Sequence, residues 1–164
     1  PRGRDMKTIL AYGDSLTFGA NPTGGPRHAF ADRWPSALEA GLAGKARVIA
    51  EGLGGRTTAS DDWYANADRK GETAPKIMLV APPLVCESEN ADMMGHFGGY
   101  THGLEQSGQF AAHYARRAEE LDTGFFDAST VAVADPEDGV HLDAKNTRAI
   151  GEALAPVVTS MLGL

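Results

Sequence analysis

Two short stretches near opposite ends of the chain carry residue types that act together in nucleophilic catalysis. Residues 11–20 read AYGDSLTFGA and place Ser15 on a glycine-flanked turn after an apolar run. Residues 138–143 read DGVHLD, with Asp138 three positions before His141. A serine becomes a nucleophile when a histidine removes its proton and an acid orients that histidine. This spacing lets Asp138 fold back onto Nδ1 of His141, which leaves Nε2 for the hydroxyl of Ser15.

Each stretch also has a purely structural interpretation. Ser15 or Thr17 could begin a helix as its cap, because such side chains accept hydrogen bonds from the first helical N–H groups. The second stretch could be a surface loop in which Asp138 or Asp143 caps the last helix. Taken alone, such a pair is more often structural than catalytic. The fold that positions both stretches must therefore decide between the interpretations.

Short apolar runs alternate with amphipathic segments along the chain. The predicted strands are residues 6–11, 47–50, 76–80 and 124–127. The predicted helices are residues 33–42, 108–121 and 144–162. The polar, glycine-rich stretch 86–103 is predicted to form a loop over the site. Strands that alternate with helices favour a parallel sheet covered on both faces.

Composition and charge bound the class of protein. The chain has 164 residues, 42% of them hydrophobic, which suits one domain with a buried core. A formal net charge of −7 gives no basic face for nucleic acid, and no apolar run is long enough to span a membrane. The single Cys86 and the lack of a recognisable signal peptide lead us to expect a cytoplasmic protein. We expect no metal site at the remaining histidines, which lack ligand spacing: His28, His96, His102 and His113.

Together, the two stretches resemble the SGNH hydrolases, also called the GDSL esterase family. The resemblance is to the bacterial arylesterase and acyltransferase branch, and it continues in the segments EGLGGRTT at 51–58, VAPPL at 80–84, FFDAST at 125–130 and DGVHLDAKN at 138–146. It implies an α/β fold, a three-layer αβα sandwich with a parallel, flavodoxin-like sheet. It also implies that Ser15 is the nucleophile, His141 the base and Asp138 its orienting acid. The backbone N–H groups of Ser15 and Gly55 become the implied oxyanion donors.

The resemblance further implies a serine esterase that cleaves short-chain carboxylic esters through an acyl-enzyme intermediate. Aryl acetates and acetylated sugars are the implied small-molecule substrates, and some relatives pass the acyl group to alcohols instead of water. No metal and no cofactor are implied, and we expect a homo-oligomer. Arg56 is expected to brace the loop around Gly55 or to face a partner subunit. We expect substrate contacts from four residues: Asp14, Leu16, Pro83 and Phe97.

One block of the family pattern is missing from this sequence. The family carries a Gly-x-Asn-Asp block whose asparagine is a third oxyanion donor, but the chain contains no Asn-Asp dipeptide. A polar stretch alone separates the second predicted strand from residues 76–80, whereas a strand with its crossover helix needs about 30 residues. In the flavodoxin-like order 2-1-3-4-5, the missing third strand lies inside the sheet beside the first.

Two explanations for this gap remain open. The sequence could lack residues of the complete protein, with a missing segment near residues 70–73. This explanation is favoured because every other signal agrees on one fold. Alternatively, the chain is a natural or engineered deletion. The alternative function is then that of a non-catalytic module that binds carbohydrate or a protein partner. Residues 1–5 are interpreted as an expression-tag remnant, which leaves residues 6–164 as a single domain.

Overall fold

Four strands and six helices make up the regular structure of the described residues. The computed structural model describes residues 6–56, 75–96 and 98–164. The interpreted tag at residues 1–5 and the expected join near residues 70–73 therefore lie outside the described residues. In chain order the elements are β1 (Lys7–Gly13), α1 (Ser15–Phe18), α2 (Trp34–Gly41), β2 (Ala46–Gly52), β3 (Met78–Ala81), α3 (Ala91–His96), α4 (Tyr100–Ser107), α5 (Phe110–Glu120), β4 (Gly124–Asp127) and α6 (Ala144–Leu162).

The strands form two separate parallel pairs. β1 pairs with β2, with Ile9 opposite Val48, and β3 pairs with β4, with Val80 opposite Phe126. In the part of the chain that the structure describes, no strand joins β1 to β3. In the flavodoxin-like order 2-1-3-4-5, the third strand would lie between these two pairs. The predicted α/β fold with parallel strand pairing is confirmed.

One hydrophobic core anchors both strand pairs. The long helix α6 contributes Ile150, Leu154 and Val158, whose spacing places them on one helical face and which are at most 5% exposed. Helix α2 adds Leu38 and Leu42 to the same cluster. Side chains from all four strands pack against it: Ile9, Val48, Met78, Val80 and Phe126. The two pairs are thus held by a shared core although no described strand connects them.

The opposite face of the β1–β2 pair is exposed. Leu10, Tyr12 and Ile49 are 60%, 53% and 42% exposed, whereas Ala11 between the first two is buried. Parallel sheets are ordinarily covered on both faces. The exposed apolar face therefore matches the expected loss of a crossover helix together with the third strand. None of the described helices has both the length and the hydropathy needed to cross a membrane.

The sequence predicted some elements correctly and one region wrongly. The predicted strand at 124–127 and helix at 144–162 coincide with β4 and α6. The prediction of a loop over residues 86–103 is wrong, because α3 and α4 occupy most of it. Met94 and Ser107 are buried at 6% and 1% exposure, so tertiary packing stabilises short helices that the polar, glycine-rich sequence does not favour by itself.

Candidate active site

Ser15 is the first residue of α1 and follows β1 after a single residue. Asp14 caps this helix, because its Oδ1 accepts the backbone N–H of Leu16 at 2.9 Å. The interpretation of Ser15 or Thr17 as the cap is therefore wrong: the capping position falls on residue 14. The hydroxyl of Ser15 is left for another partner.

Ser15, His141 and Asp138 form a hydrogen-bonded chain. Nε2 of His141 lies 3.0 Å from Oγ of Ser15, and Nδ1 lies 2.6 Å from Oδ2 of Asp138. A carboxylate only accepts hydrogen bonds, so Nδ1 donates to Asp138. In the tautomer that carries its single proton on Nδ1, Nε2 accepts the hydrogen bond from the Ser15 hydroxyl. The side chains of His141 and Asp138 are 14% and 4% exposed. This geometry can draw a proton from the hydroxyl toward the imidazole.

Asp138 is fixed by backbone groups as well as by the histidine ring. Its Oδ1 accepts the N–H groups of Val140 at 2.9 Å and of His141 at 2.8 Å. Both carboxylate oxygens are thus occupied, as burial of a charged group requires. Asp138 does not cap the last helix; Asp143 does, because its Oδ1 accepts the N–H of Asn146 at 2.6 Å.

We call residues 135–143 the base loop. Gly139 lets the segment that contains Cys86 pack tightly against this loop. The N–H of Cys86 donates to the carbonyl of Gly139 at 2.9 Å. Gly139 has φ of +76°, and a Cβ there would lie 2.5 Å from the carbonyl oxygen of Cys86 and 2.6 Å from Cε of Met94. Both the left-handed backbone and the close packing therefore require glycine.

We call residues 53–56 the glycine turn, and it lies against the end of β1. The N–H of Arg56 donates to the carbonyl of Leu53 at 3.2 Å, which closes the turn around Gly55. The N–H of Leu53 donates to the carbonyl of Gly13 at 3.1 Å. Gly13 is two residues before Ser15, so this bond ties the predicted oxyanion donor Gly55 to the segment that carries the predicted nucleophile.

The side chain of Arg56 reinforces the same junction. Its Nη1 donates to the carbonyls of Gly13 at 2.7 Å and Glu51 at 2.6 Å. Its guanidinium carbon lies 3.9 Å from the ring centre of Tyr12, within the range of a cation–π contact. These contacts agree with the interpretation that Arg56 braces the loop around Gly55.

The predicted oxyanion donors are the backbone N–H groups of Ser15 and Gly55. The first N–H groups of a helix lack an intrahelical partner, and Ser15 occupies the first position of α1. The side-chain oxygens of the described asparagines accept hydrogen bonds in local turns, a cap or an adjacent loop: those of Asn21, Asn90 and Asn146. Asn66 lies outside the described residues. The expected lack of an asparagine donor stays a prediction.

Cys86 is a second candidate nucleophile beside the base loop. Its Sγ donates to the carbonyl of Ala134 at 3.4 Å. Partial burial raises the pKa of the Cys86 thiol, and the nearby carboxylates Asp135 and Asp138 raise it further. Because the thiolate is the reactive form, a raised pKa makes Cys86 a poor rival to Ser15.

The residues expected to contact substrate have different surroundings. Asp14 is engaged as the cap of α1, Leu16 packs against the hydrophobic core, and Pro83 is buried. Phe97 lies outside the described residues. Substrate contacts by these four residues stay predictions. In the described ranges, no three His, Cys, Asp or Glu side chains gather as a metal ion would require.

Solved structures with this fold identify the family. A carbohydrate acetylesterase family member from Sinorhizobium meliloti shares 41% identity at a TM-score of 0.86, over 97% of this chain and 100% of the other. A structure from Agrobacterium tumefaciens strain C58, a provisionally assigned arylesterase, shares 38% identity at a TM-score of 0.81, over 94% of this chain and 99% of the other. The aryl esterase of M. smegmatis shares 27% identity at a TM-score of 0.80, again over 94% and 99%. Scans of family models and of curated proteins give no match.

The high identity and nearly complete coverage of these structures establish the class of protein. The chain belongs to the SGNH hydrolase family, also called the GDSL family, and it is an ester hydrolase of that type. This agrees with the resemblance found in the sequence.

Proposed function

We propose that the protein is a serine esterase that hydrolyses short-chain carboxylic esters, with aryl acetates and acetylated carbohydrates as substrates. The observation that carries the proposal is the hydrogen-bonded chain from Ser15 through His141 to Asp138. The carbohydrate acetylesterase family member from S. meliloti and the aryl esterase from M. smegmatis support these substrate classes.

Acylation is the first half of the proposed reaction. Oγ of Ser15 attacks the ester carbonyl carbon while its proton moves to Nε2 of His141. Asp138 accepts a hydrogen bond from Nδ1 and stabilises the imidazolium that forms. The carbonyl oxygen becomes an oxyanion, which the N–H groups of Ser15 and Gly55 bind in this proposal. Each such donor contributes roughly 3–4 kcal/mol to the transition state.

Deacylation completes the cycle. The tetrahedral intermediate collapses, its bond to the alcohol oxygen breaks, and His141 gives its proton to the departing alcohol. The acyl group then remains on Ser15 as an ester. A water molecule that loses its proton to His141 attacks this ester, the carboxylic acid leaves, and Ser15 regains its proton. An alcohol in place of water gives acyl transfer, which we include in the proposal.

Replacement of the proposed nucleophile tests the mechanism. Ser15→Ala should lower kcat for an aryl acetate by more than about 10³-fold and leave the thermal unfolding midpoint unchanged. Ser160 is exposed at the end of α6, so Ser160→Ala is a matched control that should keep the wild-type rate. Full esterase activity in Ser15→Ala would overturn the proposal.

The expected lack of an asparagine donor supports a second candidate, a non-catalytic module that binds carbohydrate or a protein partner. This candidate predicts that the wild type and Ser15→Ala are equally inactive on aryl acetates. It also predicts that both bind an acetylated oligosaccharide with the same affinity in calorimetry. Turnover that depends on Ser15 would reject it.

We further propose that the protein is a cytoplasmic homo-oligomer. A single free thiol, Cys86, suits a reducing compartment. The exposed apolar side chains of Leu10 and Ile49 support self-association. Light scattering on the purified protein tests the assembly: a mass equal to one chain would contradict it.

A further inference from the structure

His28 is a buried polar residue that the proposed reaction leaves unused. It lies between α1 and α2 and is 8% exposed. Its Nε2 lies 2.7 Å from the carbonyl oxygen of Leu142. A carbonyl oxygen only accepts hydrogen bonds, so Nε2 of His28 carries a proton and donates it. The ring is therefore fixed in one orientation with a defined protonated nitrogen.

The acceptor of this hydrogen bond lies directly beside the proposed base. Leu142 follows His141 and is 2% exposed. On its other side, the N–H of His141 is bound by Oδ1 of Asp138 at 2.8 Å. The backbone is thus held on both sides of the His141 side chain: Asp138 binds the N–H of His141, and His28 binds the carbonyl of the next residue, Leu142.

The backbone of His28 also connects to the helix that carries the proposed nucleophile. Its N–H donates to the carbonyl of Gly19 at 3.0 Å, and Gly19 donates in turn to the carbonyl of Ser15 at 3.0 Å. The carbonyl of His28 accepts Nε of Arg33 at 2.9 Å. His28 therefore bridges the two segments whose separation sets the distance between Ser15 and His141.

We propose that His28 is a positioning residue that holds His141 within hydrogen-bond reach of Ser15 through the carbonyl of Leu142. The proposal rests on the proposed roles of Ser15 and His141 as nucleophile and base. His28 touches neither substrate nor the reacting atoms in this account. Its effect is geometric, and small displacements of a catalytic group are costly to rate.

Two substitutions at His28 separate the effect of its hydrogen-bond donor from the effect of its side-chain volume. His28→Met keeps an apolar side chain of similar size but leaves the carbonyl of Leu142 without its donor. It should lower kcat for an aryl acetate by about 10- to 100-fold with KM unchanged. In His28→Gln the amide can donate from a position close to Nε2, and kcat should return to within about threefold of wild type. Equal kcat per folded molecule in wild type and both variants would overturn the proposal.

Nuclear magnetic resonance gives a readout that does not depend on turnover. The short contact between Nδ1 of His141 and Asp138, at 2.6 Å, should give a strongly downfield proton resonance in the wild type. That resonance should shift or broaden in His28→Met and recover in His28→Gln. An unchanged resonance in a folded His28→Met variant would contradict a positioning role.

The wild-type protein alone provides a test if the variants fail to fold. Nitrogen-15 spectra of its histidines should show Nε2 of His28 protonated; an unprotonated Nε2 would overturn the inference. Failure of the proposed esterase function is distinguishable, because it would appear as equal activity of wild type and Ser15→Ala. The histidine resonances would then still decide whether His28 orders His141.

Discussion

The base loop and the glycine turn both contact the segment around Ser15, but they are held in different ways. The base loop is buried at Asp138, which is 3% exposed. It is bonded to other segments through the carbonyls of Gly139 and Leu142. The glycine turn is largely exposed. The carbonyl of Gly13 accepts two hydrogen bonds from this turn, one from the backbone N–H of Leu53 and one from Nη1 of Arg56. The region proposed to transfer protons is thus more deeply buried than the region proposed to bind the oxyanion.

The division of the sheet explains this difference. The base loop packs against the segment that follows β3 and against His28, and these contacts involve no residue of the β1–β2 pair. The glycine turn extends from the β1–β2 pair, whose outer apolar face is exposed. Substitutions in the two regions should therefore differ in size, and this expectation can be tested directly.

The largest effect is expected when the carboxylate of the base loop is removed. In Asp138→Asn the amide cannot accept from Nδ1 of His141 as the carboxylate does, and the ring loses its orienting charge. By analogy with other serine hydrolases, kcat should fall about 10³- to 10⁴-fold. Steady-state kinetics on an aryl acetate measures this, with Asp122→Asn at an exposed position as the control. More than a tenth of wild-type activity would show that Asp138 does not orient the base.

Gly139→Ala should have the next largest effect. The new Cβ would overlap the carbonyl of Cys86 and the side chain of Met94, so the base loop must shift, and kcat should fall about 100-fold. Gly44 has the same φ of +76°, and a Cβ added there would have no other atom within 4 Å. Gly44→Ala therefore carries the backbone strain of about 1–2 kcal/mol without the overlap. Equal losses of activity in the two variants would disprove the role of close packing.

Removal of the arginine that braces the glycine turn should cost less. Arg56→Met loses two hydrogen bonds to carbonyl groups, while Gly13 keeps its bond from Leu53. Since the turn is exposed, we expect kcat to fall about 5- to 20-fold. Arg47→Met, at an exposed position on β2, is the control. An effect as large as that of Asp138→Asn would reverse the comparison between the two regions.

The smallest effect is expected at Asp143, which caps α6 at the end of the base loop. Burial opposes ionisation of Asp143, but hydrogen bonds from Asn146 and the charge of Lys145 outweigh it, so the pKa of Asp143 is lowered. A lowered folded-state pKa means that this stabilisation is complete above about pH 4, the ordinary value of an aspartate. It is lost as the pH falls through the folded-state pKa.

Urea unfolding of Asp143→Ala measures this contribution. The variant should be less stable than wild type by about 1 kcal/mol at pH 7, and the difference should shrink near pH 3. Asp143→Asn, which retains a capping oxygen but not the charge, should lie between Asp143→Ala and wild type at pH 7. A difference between Asp143→Ala and wild type that is the same at both pH values would contradict a charged cap.

The sequence predicted those parts of the molecule that local signals specify. Helix α6 carries apolar residues at helical spacing between Asp143 and Gly163, and both of its ends were predicted. The contact between Ser15 and His141 was predicted because a serine, an aspartate and a histidine in these two stretches indicate nucleophilic catalysis by the serine. The role proposed for His28 had no such signal, since a lone histidine acquires its partner, Leu142, only in the fold. Helices α3 and α4 were missed because their glycines hide the helical pattern.

Labelling with a fluorophosphonate, followed by peptide mapping, tests the central claim most directly. Such a probe reacts with a serine only when a neighbouring base activates it. We expect a phosphonyl group on the peptide that contains Ser15 in the wild type, none in Ser15→Ala, and strongly slowed labelling in His141→Ala. A label on another residue, or labelling of Ser15 that is equally fast in His141→Ala, would contradict it.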